Sequence, residues 1–272
     1  MLKYSTNHFI FFSRIVLALL VLLSITTSCN SRKGEQKEEQ IRLSVPETSS
    51  GNDSLLNSIQ GNVAFNQIAT TPNSVILTGL PEHRLVSVYK TIGEGNSKGK
   101  NSAYSRSSMV YDGNENEKVE HFMPGIDILY GYNLLNLAHY NLKTEKLNFL
   151  FIRPALIKTL YYPSFTQDSL NKKPINRDYF LLSVYDEDTN KDTLINRKDL
   201  RRFYYFDASC SVKIQLVPAD YSVIRSQYDP QNDAMYLFAR HDDNNNGIAE
   251  NKEPVHVFWF SLKSPLQAKR LY

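Results

Sequence analysis

The sequence predicts an all-β protein, and three observations carry the prediction. First, Tyr (17) and Phe (14) far outnumber Trp (1) and cluster in short runs with aliphatic and β-branched neighbours, which is a strand composition. Examples are Y-F-L-L-S-V-Y at 179–185, F-Y-Y-F at 203–206, M-Y-L-F-A-R at 235–240 and V-H-V-F-W-F-S-L at 255–262. Second, helical periodicity is weak throughout. The best helical candidate, 126–142, is broken by Gly131 and by the turn-like N-L-K-T-E at 141–145, so it reads as strand, turn, strand. Third, one hairpin shape recurs at 139–151, 205–217 and 259–272: an aromatic strand, then Asn, Asp or Ser, a polar turn, and a strand closing on an apolar residue.

The chain is 272 residues long, 42% hydrophobic and 22% charged, with a net charge of +3 and two cysteines. That composition belongs to a folded protein rather than a disordered one. So small a charge gives no reason to expect nucleic acid as a partner. Two cysteines exclude a disulfide-stapled scaffold.

The elements follow in chain order. Lys3 and Arg14 flank an N-terminal stretch that leads into I-V-L-A-L-L-V-L-L at 15–23, an unbroken apolar run of nine residues. The run has the length of a secretory h-region and falls short of the ~20 residues that span a bilayer. Thr26, Thr27 and Ser28 then precede Cys29, and polar sequence follows at once. This arrangement resembles a bacterial lipoprotein signal. The resemblance implies a signal peptide over 1–28, a lipid on Cys29 and a membrane as partner. Residues 29–60 carry few apolar side chains and read as a flexible tether. Within them K-E-E at 37–39 resembles the acidic export signals of surface lipoproteins in Bacteroidetes-type envelopes. Asn30 is not the Asp that retains lipoproteins at the inner membrane, so the expected location is the outer membrane.

Residues 61–272 form the expected β-repeat domain. The three hairpins resemble the outer two strands of a TolB-type β-propeller blade. A fourth, divergent unit is expected in 75–125 around R-L-V-S-V-Y at 84–89. The resemblance implies a propeller-like array of about four antiparallel blades. Alternatives are an open blade stack completed by a partner and a two-sheet β-sandwich.

Two acidic loops carry the sharpest chemistry. D-T-N-K-D-T-L-I-N-R-K-D occupies 188–199, and D-D-N-N-N-G-I-A-E-N-K-E occupies 242–253. Both place oxygen donors at positions 1, 3, 5, 9 and 12, the spacing that turns alternate oxygens onto one hard cation. The first would offer Asp188, Asn190, Asp192, Asn196 and Asp199 with the Leu194 carbonyl. The second would offer Asp242, Asn244, Asn246, Glu250 and Glu253 with the Ile248 carbonyl. A competing register of the first loop, starting at Asp186, puts Arg197 at position 12, where a carboxylate is needed. Shifted by 54 positions, Asp188, Asn190, Asp192 and Asp199 land on Asp242, Asn244, Asn246 and Glu253, which supports the Asp188 register. The first loop resembles a dockerin-type calcium loop and the second an EF-hand loop. Thr193 stands where the pattern has the position-6 Gly, and Ala249 where it has a larger aliphatic residue. Strands are expected to flank both loops, and Pro254 blocks a helix leaving the second. The resemblance therefore implies a Ca²⁺ site of structural use, as in integrin-type repeats, and no dockerin function.

No nucleophile or metalloprotease motif occurs, and the glycine-rich 93–101 lacks the spacing and the Ser/Thr of a phosphate loop. The reading is a lipid-anchored, calcium-braced envelope protein that binds a protein or glycan ligand or acts as a scaffold, with no catalytic residues assigned. The rivals are a hydrolase or lyase acting on an envelope polymer through Asp127, Asp178, Asp229 or Asp233, and a structural subunit of an outer-membrane complex.

Overall fold

A computed structural model describes residues 40–42, 70–90, 123–131 and 134–272. The signal sequence, Cys29 and the glycine-rich 93–101 lie outside the described residues. The described residues are all-β, in antiparallel sheets of which none closes on itself. Among them no helix is long and apolar enough to cross a membrane.

Three sheets make the body. Sheet I orders β2 (Thr70–Leu77), β3 (His83–Lys90), β5 (Leu134–Asn141) and β6 (Lys146–Phe149) side by side. Sheet II runs β4 (Ile126–Tyr130), β7 (Leu156–Pro163), β10 (Tyr179–Tyr185), β12 (Arg202–Asp207) and β13 (Lys213–Gln215). Sheet III is the meander β14 (Tyr221–Asp229), β15 (Ala234–His241), β16 (Val255–Ser261) and β17 (Lys269–Arg270). Two small ribbons complete the set: β8 (Ser169–Leu170) with β9 (Lys173–Pro174), and β1 (Gln40–Arg42) with β11 (Leu194–Asn196).

The three recurring hairpins are β5–β6, β12–β13 and β16–β17, the last two strands of each sheet. The expected fourth unit around 84–89 is not a sheet of its own. Those residues form β3, which pairs with β5 in register Leu85 to His139 and Val86 to Ala138, and so belongs to the first hairpin's sheet. The strand–turn–strand expected over 126–142 is also divided. β4 and β5 are strands, but β4 pairs with β7 in sheet II, while β5 stays in sheet I. This exchange ties the two sheets together. Within the segment read as tether, Gln40–Arg42 pairs antiparallel with β11.

The sheets stack in three layers. One apolar cluster joins sheets I and II, with Leu85 and Leu137 against Phe180, Leu182 and Phe206. A second joins sheets II and III, with Leu181 and Phe203 against Met235, Leu237, Phe258 and Phe260. Sheet II is thus covered on both faces. That is why β10 reads Y-F-L-L-S-V-Y without polar alternation and is buried at every position. At ~25 cal/mol per Å² of apolar surface, a row of such strands is the main source of stability.

A buried clamp fastens sheet II to sheet III. The Arg177 guanidinium grips Asp233 with two bonds, Nη2 to Oδ1 at 2.6 Å and Nη1 to Oδ2 at 3.1 Å. It also donates to the Leu262 carbonyl at 2.7 Å and to the Pro124 carbonyl at 3.3 Å. The Tyr179 hydroxyl donates to the same Leu262 carbonyl at 2.7 Å.

Candidate calcium loops

Each loop leads into the final hairpin of its sheet: 188–199 lies between β10 and β12, the third and fourth strands of sheet II, and 242–253 between β15 and β16, the second and third of sheet III. The connections are geometric duplicates. At position 1, Asp188 accepts the backbone N–H groups of Asp192 (3.1 Å) and Thr193 (2.9 Å). Asp242 accepts those of Asn246 (3.1 Å) and Gly247 (2.8 Å). At position 3, Asn190 accepts from Asp192 N and Asn244 from Asn246 N, each at 3.0 Å. At position 5, Asp192 accepts from Leu194 N at 2.9 Å and Asn246 from Ile248 N at 2.8 Å.

Position 12 closes both loops in the same way. Asp199 accepts the N–H groups of Thr189 and Asn196, each at 2.8 Å. Glu253 accepts those of Asp243 (3.1 Å) and Glu250 (2.8 Å). These are positions 2 and 9 in each loop. The left-handed residues also match: Lys191 (φ 60) and Asn245 (φ 54) at position 4, Thr193 (φ 67) and Gly247 (φ 76) at position 6. Such repeated side-chain-to-backbone bonds define a tight turn.

Asp199, Asp242, Glu253 and Asn196 are buried, while Asp188, Asn190, Asp192, Asn244, Asn246 and Glu250 lie nearer the surface. Burial pushes the Asp199 carboxyl up to about 6, against the pull of its three backbone N–H donors. The exposed Lys252 ammonium, 2.9 Å from Glu250, holds that carboxyl below its ordinary value. Among the described residues, no three His, Cys, Asp or Glu side chains gather into a metal-binding cluster. Asp188, Asp199, Asp242 and Glu253 are held on backbone N–H groups, whereas Glu250 is held by the Asn244 amide and Lys252. The donor chemistry fits a hard cation, because every contributing atom is an oxygen.

The loops lean on each other. Thr189 donates its hydroxyl to the Gly247 carbonyl and accepts the Leu200 N–H. His241, next to Asp242, lies between Asp220 (Nε2 to Oδ2, 2.9 Å) and Asp243, and its hydrogen bond to Asp243 raises its pKa. Its imidazole is engaged by two carboxylates outside the ligand set.

Two of the four rival carboxylates have other duties. Asp233 is consumed by the Arg177 clamp. Asp229 caps the β14–β15 turn through the N–H groups of Gln231 and Asn232. Asp127 sits on edge strand β4, its carboxyl raised by burial and tempered by a hydrogen bond from Ser164. Asp178 precedes β10. Sequence reasoning missed the Arg177–Asp233 clamp: its partners are 56 residues apart and leave no periodic trace. The sequence matches no protein-family model and no curated protein.

Proposed function

We propose that this chain is a lipid-anchored outer-membrane protein whose stacked sheets are braced by calcium at 188–199 and 242–253. It serves binding of a protein or glycan, or scaffolding, rather than catalysis. The observation that carries the reading is the duplicated backbone capture of the two loops. Positions 1, 3, 5 and 12 accept equivalent N–H groups in both, so the same oxygens are preset around the same turn twice. Asp188, Asn190, Asp192, Asn196, Asp199 and the Leu194 carbonyl would hold one ion. Asp242, Asn244, Asn246, Glu250, Glu253 and the Ile248 carbonyl would hold the other. A carboxylate oxygen that accepts one N–H keeps a second lone pair for a cation.

Amide oxygens fill several positions, which suits the ~10⁻⁴–10⁻³ M affinities of extracellular calcium modules. At ten times that concentration each ion would add about 1.4 kcal/mol by binding the folded state alone. Three antiparallel meanders stacked face on face also suit the blade-like reading of a propeller. The lipid reading rests on the apolar run 15–23 and Cys29; two or more acyl chains anchor stably where one does not. The engagement of Asp233 by Arg177 and of Asp229 by its own turn supports binding over hydrolysis.

The test is a calcium titration of the full chain by calorimetry, with melting in calcium and in chelator. Two sites and a melting temperature several degrees higher in calcium are expected; absence of both heat and shift sinks the calcium reading. Metabolic labelling with a palmitate analogue, lost in Cys29→Ala, tests the anchor separately.

A further inference from the structure

We infer that two copies of this chain associate head to tail, the outer face of sheet III on one copy packing against the outer face of sheet I on the other, to close a ring of six sheets. The inference rests on the blade-like reading of the stack and is independent of calcium.

The three sheets stack with one polarity. In the aligned hairpins, Tyr140, Phe206 and Phe260 are equivalent, and so are His139, Tyr205 and Trp259. Phe206 packs toward sheet I, and Phe260 toward sheet II. The Phe206 side of each sheet therefore faces the sheet before it. Tyr205 packs against the cluster shared with sheet III, so the Tyr205 side faces the sheet after it. Two faces are left over. Among the described residues, sheet III has no following sheet for its Trp259 side, and sheet I has no preceding sheet for its Tyr140 side. The two interfaces inside the chain are each a Tyr205-type side against a Phe206-type side. The leftover pair is the same combination, available only between copies. Repeats that stack by nearest-neighbour faces continue in this way until capped or closed.

Both leftover faces carry apolar rows with polar and basic neighbours: the registers place Gln227 and Lys269 beside Tyr236 and Trp259, Arg225 beside Phe238, and Arg84 between Leu77 and Tyr140. On sheet III, Tyr236 lies opposite Trp259, and Phe238 opposite Val257, all half-buried and outside the core cluster. Arg225 sits over the Phe238 ring, its guanidinium carbon 3.4 Å from the centroid, so its aliphatic stem and planar head extend the surface of that row. On sheet I, Val75 and Phe149 are each 58% exposed, Leu77 is 53% and Leu147 50%. Registers across the sheet put Val75, Val86, Ala138 and Phe149 in one row, and Leu77, Arg84, Tyr140 and Leu147 in the next. A core-like row exposed at both edges of a sheet calls for a cover.

Area and number select closure by two copies. Strands of 8, 8, 8 and 4 residues in sheet I and of 9, 8, 7 and 2 in sheet III, ~4.8 Å apart with a rise of ~3.3 Å, present roughly 400–450 Å² per face. One such contact falls short of the ~800 Å² per partner of a stable interface, whereas a ring of two copies makes the contact twice and passes it. Two copies bring six sheets, inside the four-to-eight range in which radially packed sheets close; three copies bring nine and one brings three. A heterologous contact that closes forms a ring rather than a fibre.

The test is the mass of the full mature chain in detergent, by sedimentation with the detergent contribution subtracted. Wild type is expected at the mass of two chains. Phe149→Asp, on sheet I, and Trp259→Asp, on sheet III, should each fall to one chain with an unchanged circular dichroism spectrum. An equimolar mixture of the two variants should also stay at one chain, because only one intact contact can form between them and that falls short of a stable interface. Leu77→Lys and Tyr236→Lys give the same comparison if either aspartate variant fails to fold. A wild-type mass of one chain overturns the inference and leaves the calcium reading standing. A dimer broken by substitutions on only one face overturns it too, since it shows like faces meeting.

Discussion

Thr189 donates its hydroxyl to the Gly247 carbonyl at 2.6 Å, joining position 2 of one loop to position 6 of the other. The approach is so close that a Cβ built on Gly247 would stand 2.0 Å from the Thr189 carbonyl oxygen. Gly247 also holds φ at 76°, in the left-handed region. Gly247→Ala therefore meets backbone strain and a clash with backbone that cannot move aside. A loss of about 2–4 kcal/mol is expected in urea unfolding. A midpoint equal to wild type would show that the two loops do not meet in solution.

Thr193 is the mirror case at position 6 of the other loop. It adopts φ 67° although it is β-branched, a conformation that costs such a residue roughly 1–2 kcal/mol. Its backbone N–H, held by Asp188 at 2.9 Å, survives any substitution except proline. Thr193→Gly removes the strain while giving back some unfolded-state entropy, so a net gain of about 0.5–1 kcal/mol is expected. Thermal melting measures it, and a destabilised variant would mean that the side chain itself holds the loop.

Strand composition made the aromatic runs legible, because each run is β10, β12, β15 or β16. The hairpin endings were legible because Asn141 and Asp207 hold their turns through local side-chain bonds, Asn141 to Thr144 N and Asp207 to Val212 N. The loop duplication was legible because positions 1, 3, 5 and 12 use side chains that act on their own neighbours. Sheet membership was not. Nothing local in I-D-I-L-Y says that β4 pairs with β7 across the intervening β5 and β6. For the same reason 84–89 read as a fourth unit instead of an inner strand of the first. Asp233 read as a possible acid because its partner, Arg177, is distant in sequence and meets it only in the folded chain.

His139 makes stability depend on pH. It lies buried on β5, with its Nε2 2.8 Å from His83 Nδ1 and no well-formed partner for its own Nδ1. Burial lowers its pKa below 6.5, the His83 ring pushes the same way, and Asp207 with the Ala208 carbonyl opposes them. The unfolded chain therefore takes up this proton at a higher pH than the folded one. The contribution is fully present above pH 6.5 and is lost as pH falls toward the folded value. Urea midpoints at pH 7.5 and 5.5 should fall more steeply in wild type than in His139→Gln. Equal slopes would show that His139 does not take up its proton on unfolding in this range.

Asp233→Asn should be the most damaging single change to the sheet II–sheet III junction. It leaves the Arg177 guanidinium buried with its two carboxylate bonds gone, and an uncompensated buried charge costs roughly 3–5 kcal/mol. Replacing both partners with apolar residues would often be nearly neutral for a buried pair. Here it should not be. Arg177 also supplies donors to the Leu262 and Pro124 carbonyls, and only Leu262 retains another, the Tyr179 hydroxyl. Arg177→Met with Asp233→Leu is therefore expected to cost about 1–3 kcal/mol, the desolvation penalty of an orphaned carbonyl. Guanidinium unfolding of both variants decides it. A double variant as stable as wild type would show that these carbonyls find water and that the clamp is an ordinary ion pair.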